Sequence, residues 1–282
     1  MGMWSTMNGL AMLGGAALTA ITLADIYLTV LKGGPVSLLS GPLASAAWRG
    51  FRRAAMRLDP WRNLLLSYAG PTIVALIVVA WAALLVVGFA LIYWPGLGTA
   101  IRMSEGATPE RFSTALYFSA MSLSTLSTGD IAAVTAPYRL LSVAQALVGF
   151  SVLTMTITYL LSVYRALDRH NSLALALHHG TGDSDDAAGW IARLGAGGDF
   201  EGSRQELARL GDGLMKLIAA HRTHLVLRYF RPEDATYSLP RIAFLTLDTA
   251  TLLCSAIDQD RYRGHCHLSG DGAGLGRGHA VA

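Results

Sequence analysis

The sequence predicts an all-α membrane protein: three transmembrane helices, a short re-entrant helix with the loop that follows it, and a helical cytoplasmic tail. Three observations predict this. Only 15% of the 282 residues are charged while 52% are apolar, against about a quarter charged in an average soluble domain. The charges avoid three stretches: residues 1–31 carry Asp25 alone, and residues 68–101 and 140–164 carry none. Between the second and third stretches lies a run too short and too rich in hydroxyls to cross a bilayer, yet too apolar for an exposed loop. This balance excludes a disordered or collagen-like chain and argues against an ordinary soluble enzyme.

A bilayer core takes roughly 20 apolar residues to cross as a helix. Residues 9–31 give the first span. Met1 to Asn8 hold no basic residue, and the apolar run is too long for a signal peptide, so a retained helix is expected. Residues 71–93 give the second span, closed by Tyr93-Trp94-Pro95, an aromatic interface anchor and a helix breaker. Residues 140–163 give the third, with Tyr138 and Tyr164 near its ends. Between the first two spans, Lys32, Arg49, Arg52, Arg53, Arg57 and Arg62 face a single Asp59, whereas Arg102 and Arg111 are balanced by Glu105 and Glu110. Short cytoplasmic loops carry the basic excess. Residues 32–67 and the tail are therefore expected inside, residues 95–139 and the N-terminus outside, in a multi-pass cell-membrane protein. Asp25, at the cytoplasmic end of span one, is expected to pair with Lys32 or a loop arginine.

The inner loop has its own pattern. Trp48, Phe51, Ala55 and Leu58 fall on one helical face, Arg49, Arg53 and Arg57 on the other. That predicts a helix in the headgroup plane, with the arginines on anionic lipid. The alternative is an amphipathic helix packed on the tail. The net charge of +3 resides in this loop, so no nucleic-acid face is expected.

In the outer loop, Thr108, Pro109 and Glu110 read as a helix start, with Thr108 as N-cap. About a dozen residues follow, from Phe112 to Ser124, a length that suits a re-entrant helix. Its non-helical end, Thr125-Leu126-Ser127-Thr128-Gly129-Asp130, can sit at membrane depth only where protein buries it or water wets it.

Span, re-entrant helix, Thr-rich turn ending in Gly-Asp, span: this order resembles the pore module of the tetrameric potassium-channel superfamily, closest to bacterial channels with two pore helices per subunit. The resemblance covers about residues 70–165. Ala115-Leu116-Tyr117-Phe118-Ser119 stands where the family has an Ala-Leu-aromatic-aromatic-Ser core, and Thr125 to Asp130 stands at the Thr-Val-Gly-Tyr-Gly-Asp filter, with no gap between the blocks. The resemblance implies that Thr125 offers its hydroxyl and carbonyl to the innermost ion site, and that Leu126, Ser127 and Thr128 present carbonyls further out. Gly129 would turn the chain at the mouth, and Asp130 would stand on the outer rim as a fixed negative charge. Tyr117 and Phe118 resemble the aromatic cuff behind the filter. Gly149 stands as a gating hinge or a close-packing glycine, and Gln145 and Thr156, near three turns apart, as cavity-lining residues.

The chain departs from the family at three positions. Ser127 replaces the first filter glycine, whose left-handed backbone costs an L-residue roughly 1–2 kcal/mol. Thr128 replaces the filter tyrosine. Met121 replaces the carboxylate that partners the filter aspartate in several members, which leaves Asp130 without that partner. The expected function is passive conduction of monovalent cations, potassium first, by a homotetramer, since one subunit cannot enclose a filter. The alternatives are a weakly selective cation channel and a non-conducting sensor or scaffold on the same fold. No nucleophile–base pair, metal motif or phosphate loop supports an enzyme. No cofactor is expected beyond K+ as permeant ion.

The tail holds all eight histidines and both cysteines, Cys254 and Cys266. His221 and His224 share a helix face and His178 and His179 are adjacent, but solvated histidines are the reading favoured. Residues 203–229 and 240–258 read as amphipathic helices, with Leu207, Leu210, Leu214, Leu217 and Ile218 at helical spacing. Residues 181–187 read as a polar linker. The expected organisation is an extra transmembrane helix (1–32), an interfacial segment (33–67), a pore domain (68–165), a helical cytoplasmic domain (166–267) and a disordered end (268–282).

Overall fold

The structure is a computed structural model that describes residues 2–34, 37–58, 61–126, 129–194 and 201–256. Eight α-helices and two short strands are present among the described residues, in the order α1 (Gly2–Ile26), α2 (Ser40–Arg57), α3 (Arg62–Tyr93), β1 (Ile101–Met103), α4 (Phe112–Leu123), β2 (Ile131–Ala133), α5 (Ala136–Gly180), α6 (Ala187–Leu194), α7 (Glu201–Thr223) and α8 (Leu239–Ala256). They form two compact units. The first is Met1–Val163 with His224–Phe230, the second Tyr164–Thr223 with Arg231–Ala282. Three helices are long and apolar enough to cross a membrane: Met7–Lys32, Arg62–Gly96 and Ala136–Gly180.

Two of these helices outrun the expected spans. α3 begins well before Pro71, which lies inside it. At 1.5 Å per residue α3 is about 48 Å long and α5 about 68 Å, both longer than a bilayer core of about 30 Å. α5 continues beyond residue 163 because good helix formers follow, Arg165-Ala-Leu-Asp-Arg169, with no glycine until Gly180.

α1 packs along α3 through small residues. A Cβ at Gly15 would collide with the Gly88 carbonyl oxygen and one at Gly88 with the Thr19 hydroxyl. Close backbone approach of this kind is how membrane helices associate when lipid is as apolar as their own side chains. At the end of α1, a wider helical turn over Tyr27–Lys32 leads to Gly33, whose φ of 59° ends the helix.

Asp25 behaves differently from expectation. The ion pair with Lys32 or an arginine is absent among the described residues. Its fully buried carboxylate accepts main-chain N–H bonds from Leu38 (2.7 Å), Leu39 (2.9 Å) and Ser40 (3.1 Å), and the Trp81 indole N–H at 2.8 Å. It therefore caps α2 from α1 while holding α3. The first N–H groups of a helix lack partners within it and favour an anion, so a carboxylate is stabilised here without a cation.

α2 is the predicted amphipathic helix, but its apolar side is covered by protein. Ala44 and Ala55 are buried, Trp48 packs on Tyr229 with ring centroids 5.7 Å apart, and Leu58 lies exposed beyond the helix end. Arg49, Arg53 and Arg57 are exposed.

The second unit has its own core of Leu173, Ala174, Leu177, Trp190, Leu217 and Ile242, drawn from α5, α6, α7 and α8. Residues 181–187, expected as linker, form a tight turn in which Gly182 and Asp183 have φ of 63° and 60°. The Arg241 guanidinium fastens this turn by bonds to the Asp185 carboxylate (2.6 Å) and the Ser184 carbonyl (3.3 Å). The helix expected over 203–229 ends at Thr223. Cys266 and residues 268–282 lie outside the described residues.

Candidate functional site

α4 is a twelve-residue helix, about 18 Å long. It begins at Phe112, later than the start expected at Thr108. The Thr108 hydroxyl instead accepts the Met103 N–H at 3.0 Å, bracing β1. Ser119, fully buried, ties α4 to both flanking spans. Its hydroxyl donates to the Val86 carbonyl of α3 (2.8 Å), and the Gln145 side-chain amide of α5 donates to the Ser119 carbonyl and hydroxyl oxygens (2.9 Å each). Phe118 sits edge-on to Tyr93 with centroids 4.9 Å apart, inside an apolar cluster with Phe89, Leu97, Ile101 and Ile131. α4 is thus gripped at mid-length by hydrogen bonds and by an aromatic core.

After α4 the backbone turns sharply. Thr125 has φ of 58°, a left-handed conformation that costs a non-glycine residue about 1–2 kcal/mol. Gly129 has φ of 75°, where glycine is the natural choice. Ser127 and Thr128 lie outside the described residues. The chain then enters β2, which pairs antiparallel with β1 in the register Ile101↔Ala133, Arg102↔Ala132 and Met103↔Ile131. This hairpin joins the segment before α4 to the segment after the loop. At its end one residue, Ser104, takes two consecutive carbonyls of the loop: its N–H donates to Asp130 C=O at 2.8 Å and its hydroxyl to Gly129 C=O. The Tyr117 hydroxyl donates to the Asp130 carboxylate at 3.0 Å. Asp130 therefore has a partner from α4, the Tyr117 phenol, in place of the carboxylate that Met121 does not supply. The phenol reaches it from one turn before the methionine.

Two clefts flank the loop. One, of about 420 Å³, is lined by Phe118, Met121, Thr125, Leu126 and Arg139. The other, of about 460 Å³, lies between α3, the end of α4 and α5, and is lined by Leu85, Leu123, Thr125, Gly149 and Thr156. Thr156 lines this second cleft. Gln145 does not: it is 0% exposed and spent on Ser119. Its position on α5 faces α4, and a buried amide needs the bonds it finds there. Gly149 lies against the end of α4, where a Cβ would collide with the Leu123 carbonyl oxygen, and α5 runs through it unbroken.

Residues 73–166, about a third of the chain, match the family model described as "Ion channel". This segment is similar to ion-channel domains. Over 251 residues the chain is 27% identical to a Bacillus subtilis (strain 168) protein described as "Uncharacterized membrane protein YdjJ", a similarity covering 86% of this chain and 69% of that one. No solved structure matches the chain.

The matched segment comprises most of α3, the hairpin, α4, the loop and the first part of α5, with α1 and α2 packed on α3. Sequence reasoning missed Ser104 and the hairpin, and gave Ser119 no role beyond its place in the Ala-Leu-aromatic-aromatic-Ser block. The residues before and after the loop, Ile101-Arg-Met and Ile131-Ala-Ala-Val, carried a faint strand signal in their isoleucines. The α5 face of this segment is open: Leu140, Val143, Leu147, Phe150 and Leu153 are each at least 57% exposed in the single chain. Leu126, in the loop, is 64% exposed.

Proposed function

We propose that the protein is a homotetrameric membrane channel that passively conducts monovalent cations, potassium first, through a filter formed by residues 125–130. The observation that carries this is the loop after α4: a left-handed Thr125, a left-handed Gly129, and an outer end fastened by Ser104 and Tyr117. It stands within the segment that matches the ion-channel family. Thr125 and the carbonyls of Leu126, Ser127 and Thr128 would replace ion hydration. Asp130 would hold negative charge at the rim, and the carbonyl end of α4 would favour a cation below the filter. The exposed apolar face of α5 would be covered by neighbouring subunits. Arg49, Arg53 and Arg57 would rest on anionic headgroups, with the tail in the cytoplasm and the N-terminus outside. The protein would act without cofactor and without catalysis.

Ser127 and Thr128 favour a second reading, a cation pore of weak selectivity, because the filter lacks the family's first glycine and its tyrosine. A non-conducting sensor or scaffold is the third. Potassium flux into liposomes holding the purified protein separates them. Wild type is expected to carry flux, Ser127→Gly to keep or raise it, and Thr125→Ala to change its ion preference. Absence of flux from all three, in a verified tetramer, would favour the scaffold.

A further inference from the structure

The tail returns one short segment to the membrane unit. Residues on both sides of it, Tyr164–Thr223 and Arg231–Ala282, belong to the second compact unit, while His224–Phe230 belongs to the first. This segment contains a 3₁₀ turn, Leu225–Tyr229, whose Val226 and Leu227 are 5% and 4% exposed. It touches three helices at one end of the unit. On α5, His224 Nε2 lies 3.0 Å from the Ser162 hydroxyl, and its ring sits edge-on to Tyr159 at 5.7 Å. On α2, the Tyr229 ring packs against Trp48, and its hydroxyl lies 3.3 Å from that of Ser45. On α3, the Phe230 ring covers Gly70, where a Cβ would collide with it.

We propose that residues 224–230 are a strap, docked in a groove of the chain's own making, through which the tail holds residues 159–162 of α5 against α2 and α3 and thereby sets whether the pore opens. Burial of Val226 and Leu227 supplies the docking affinity, and the His224 and Tyr229 contacts select the register. The tail cannot rearrange on either side of the strap without loading it, since both flanks are covalently continuous with it. Moving the end of α5 away from α3 requires the strap to release Ser162 or Gly70. A state that keeps the strap is favoured over one that breaks it by the free energy of these contacts.

The gating half of this inference rests on the conduction reading, and the docking half does not, so the test has two readouts on full-length protein. Hydrogen exchange is measured for wild type, His224→Ala and Tyr229→Ala, with Tyr229→Phe as the milder variant. Exchange over residues 45–57 and 156–164 is expected to rise about tenfold in the alanine variants, with residues 73–90 unchanged. Cation flux in liposomes is expected to change about threefold or more in the same variants, a shift of under 1 kcal/mol. Unchanged exchange would overturn the strap. Raised exchange with wild-type flux unaltered would overturn its coupling to the pore. Raised exchange with no flux from any form would sink the conduction reading and leave the docked strap standing.

Discussion

Ser104 spends its N–H and its hydroxyl on the two consecutive carbonyls that end the loop after α4. Under the proposed function a threonine stands where channels of the resembling family have a filter tyrosine, and Ser104 with Tyr117 would supply bracing from outside the loop. Removing the hydroxyl costs a net of about 1 kcal/mol. Ser104→Ala is therefore expected to shift the potassium-to-sodium permeability ratio by roughly fivefold, read from reversal potentials, and Ser104→Thr to preserve it. Asp25 accepts four hydrogen bonds from buried or partly buried N–H groups, so its loss is costly. Asp25→Ala leaves three main-chain N–H groups and the Trp81 indole without their acceptor. Buried donors so stranded cost about 1–3 kcal/mol each before water relieves some. A loss of about 3 kcal/mol is expected in chemical unfolding in detergent, with Asp25→Asn losing less. The turn after α4 was legible at this scale, because Gly129 and Asp130 after a Thr-rich run are chemically specific. Ser104 was not, and Ser119 was legible only as part of its motif block, because a serine gives no sign of which carbonyl it will find. Asp25 was legible as a buried charge, but its partner was misread as a cation, since main-chain donors leave no mark in the sequence.

Among the elements, α4 depends on how closely α5 passes its end. Gly149 lets α5 lie against the Leu123 carbonyl. Gly149→Ala overpacks this contact, at about 1–3 kcal/mol, and pushes on the residue two before Thr125. Reduced cation flux is expected at unchanged oligomer mass. In the second unit, His170 on α5 donates from Nε2 to the Tyr237 carbonyl at 2.8 Å and faces the His221 ring of α7 at 6.1 Å. His170 lies beyond the apolar run that ends at residue 163. Burial pushes its pKa down, the neighbouring His221 adds to this, and the Tyr237 carbonyl opposes them. With the folded pKa below the unfolded one, the unfolded chain binds the proton more readily. The stability of this contact is therefore present above about pH 6.5 and declines as pH falls below it. His170→Gln keeps a donor for Tyr237, so the acid-dependent part of the thermal unfolding of the tail is expected to shrink. The long apolar helices were legible from charge-free runs. The ends of α3 and α5 were not, because helix continues into polar sequence wherever no breaker intervenes. β1 and β2 escaped notice because three residues are too few for a period of two to register, and their pairing is imposed by the loop between them.

For the whole molecule, the open α5 face and the exposed Leu126 demand company. A stripe at three- and four-residue spacing from Leu140 to Leu153 stands exposed in the single chain, and under the proposed function the loop of one subunit would form only one wall of a pore. The proposed fourfold assembly would cover both. The membrane class was legible from composition, and the similarity of residues 73–166 to ion channels from span order and one short motif. The division into two units, with seven tail residues returned to the first, was not, because docking of a short segment depends on surfaces brought together only by the fold. The most direct test of the account is a planar-bilayer recording of the reconstituted protein with potassium on one side and sodium on the other. The account predicts a cation current whose reversal potential is displaced toward potassium and moves with Thr125→Ala. A verified tetramer that passes no current under any stimulus, or a current whose reversal ignores Thr125, would contradict it.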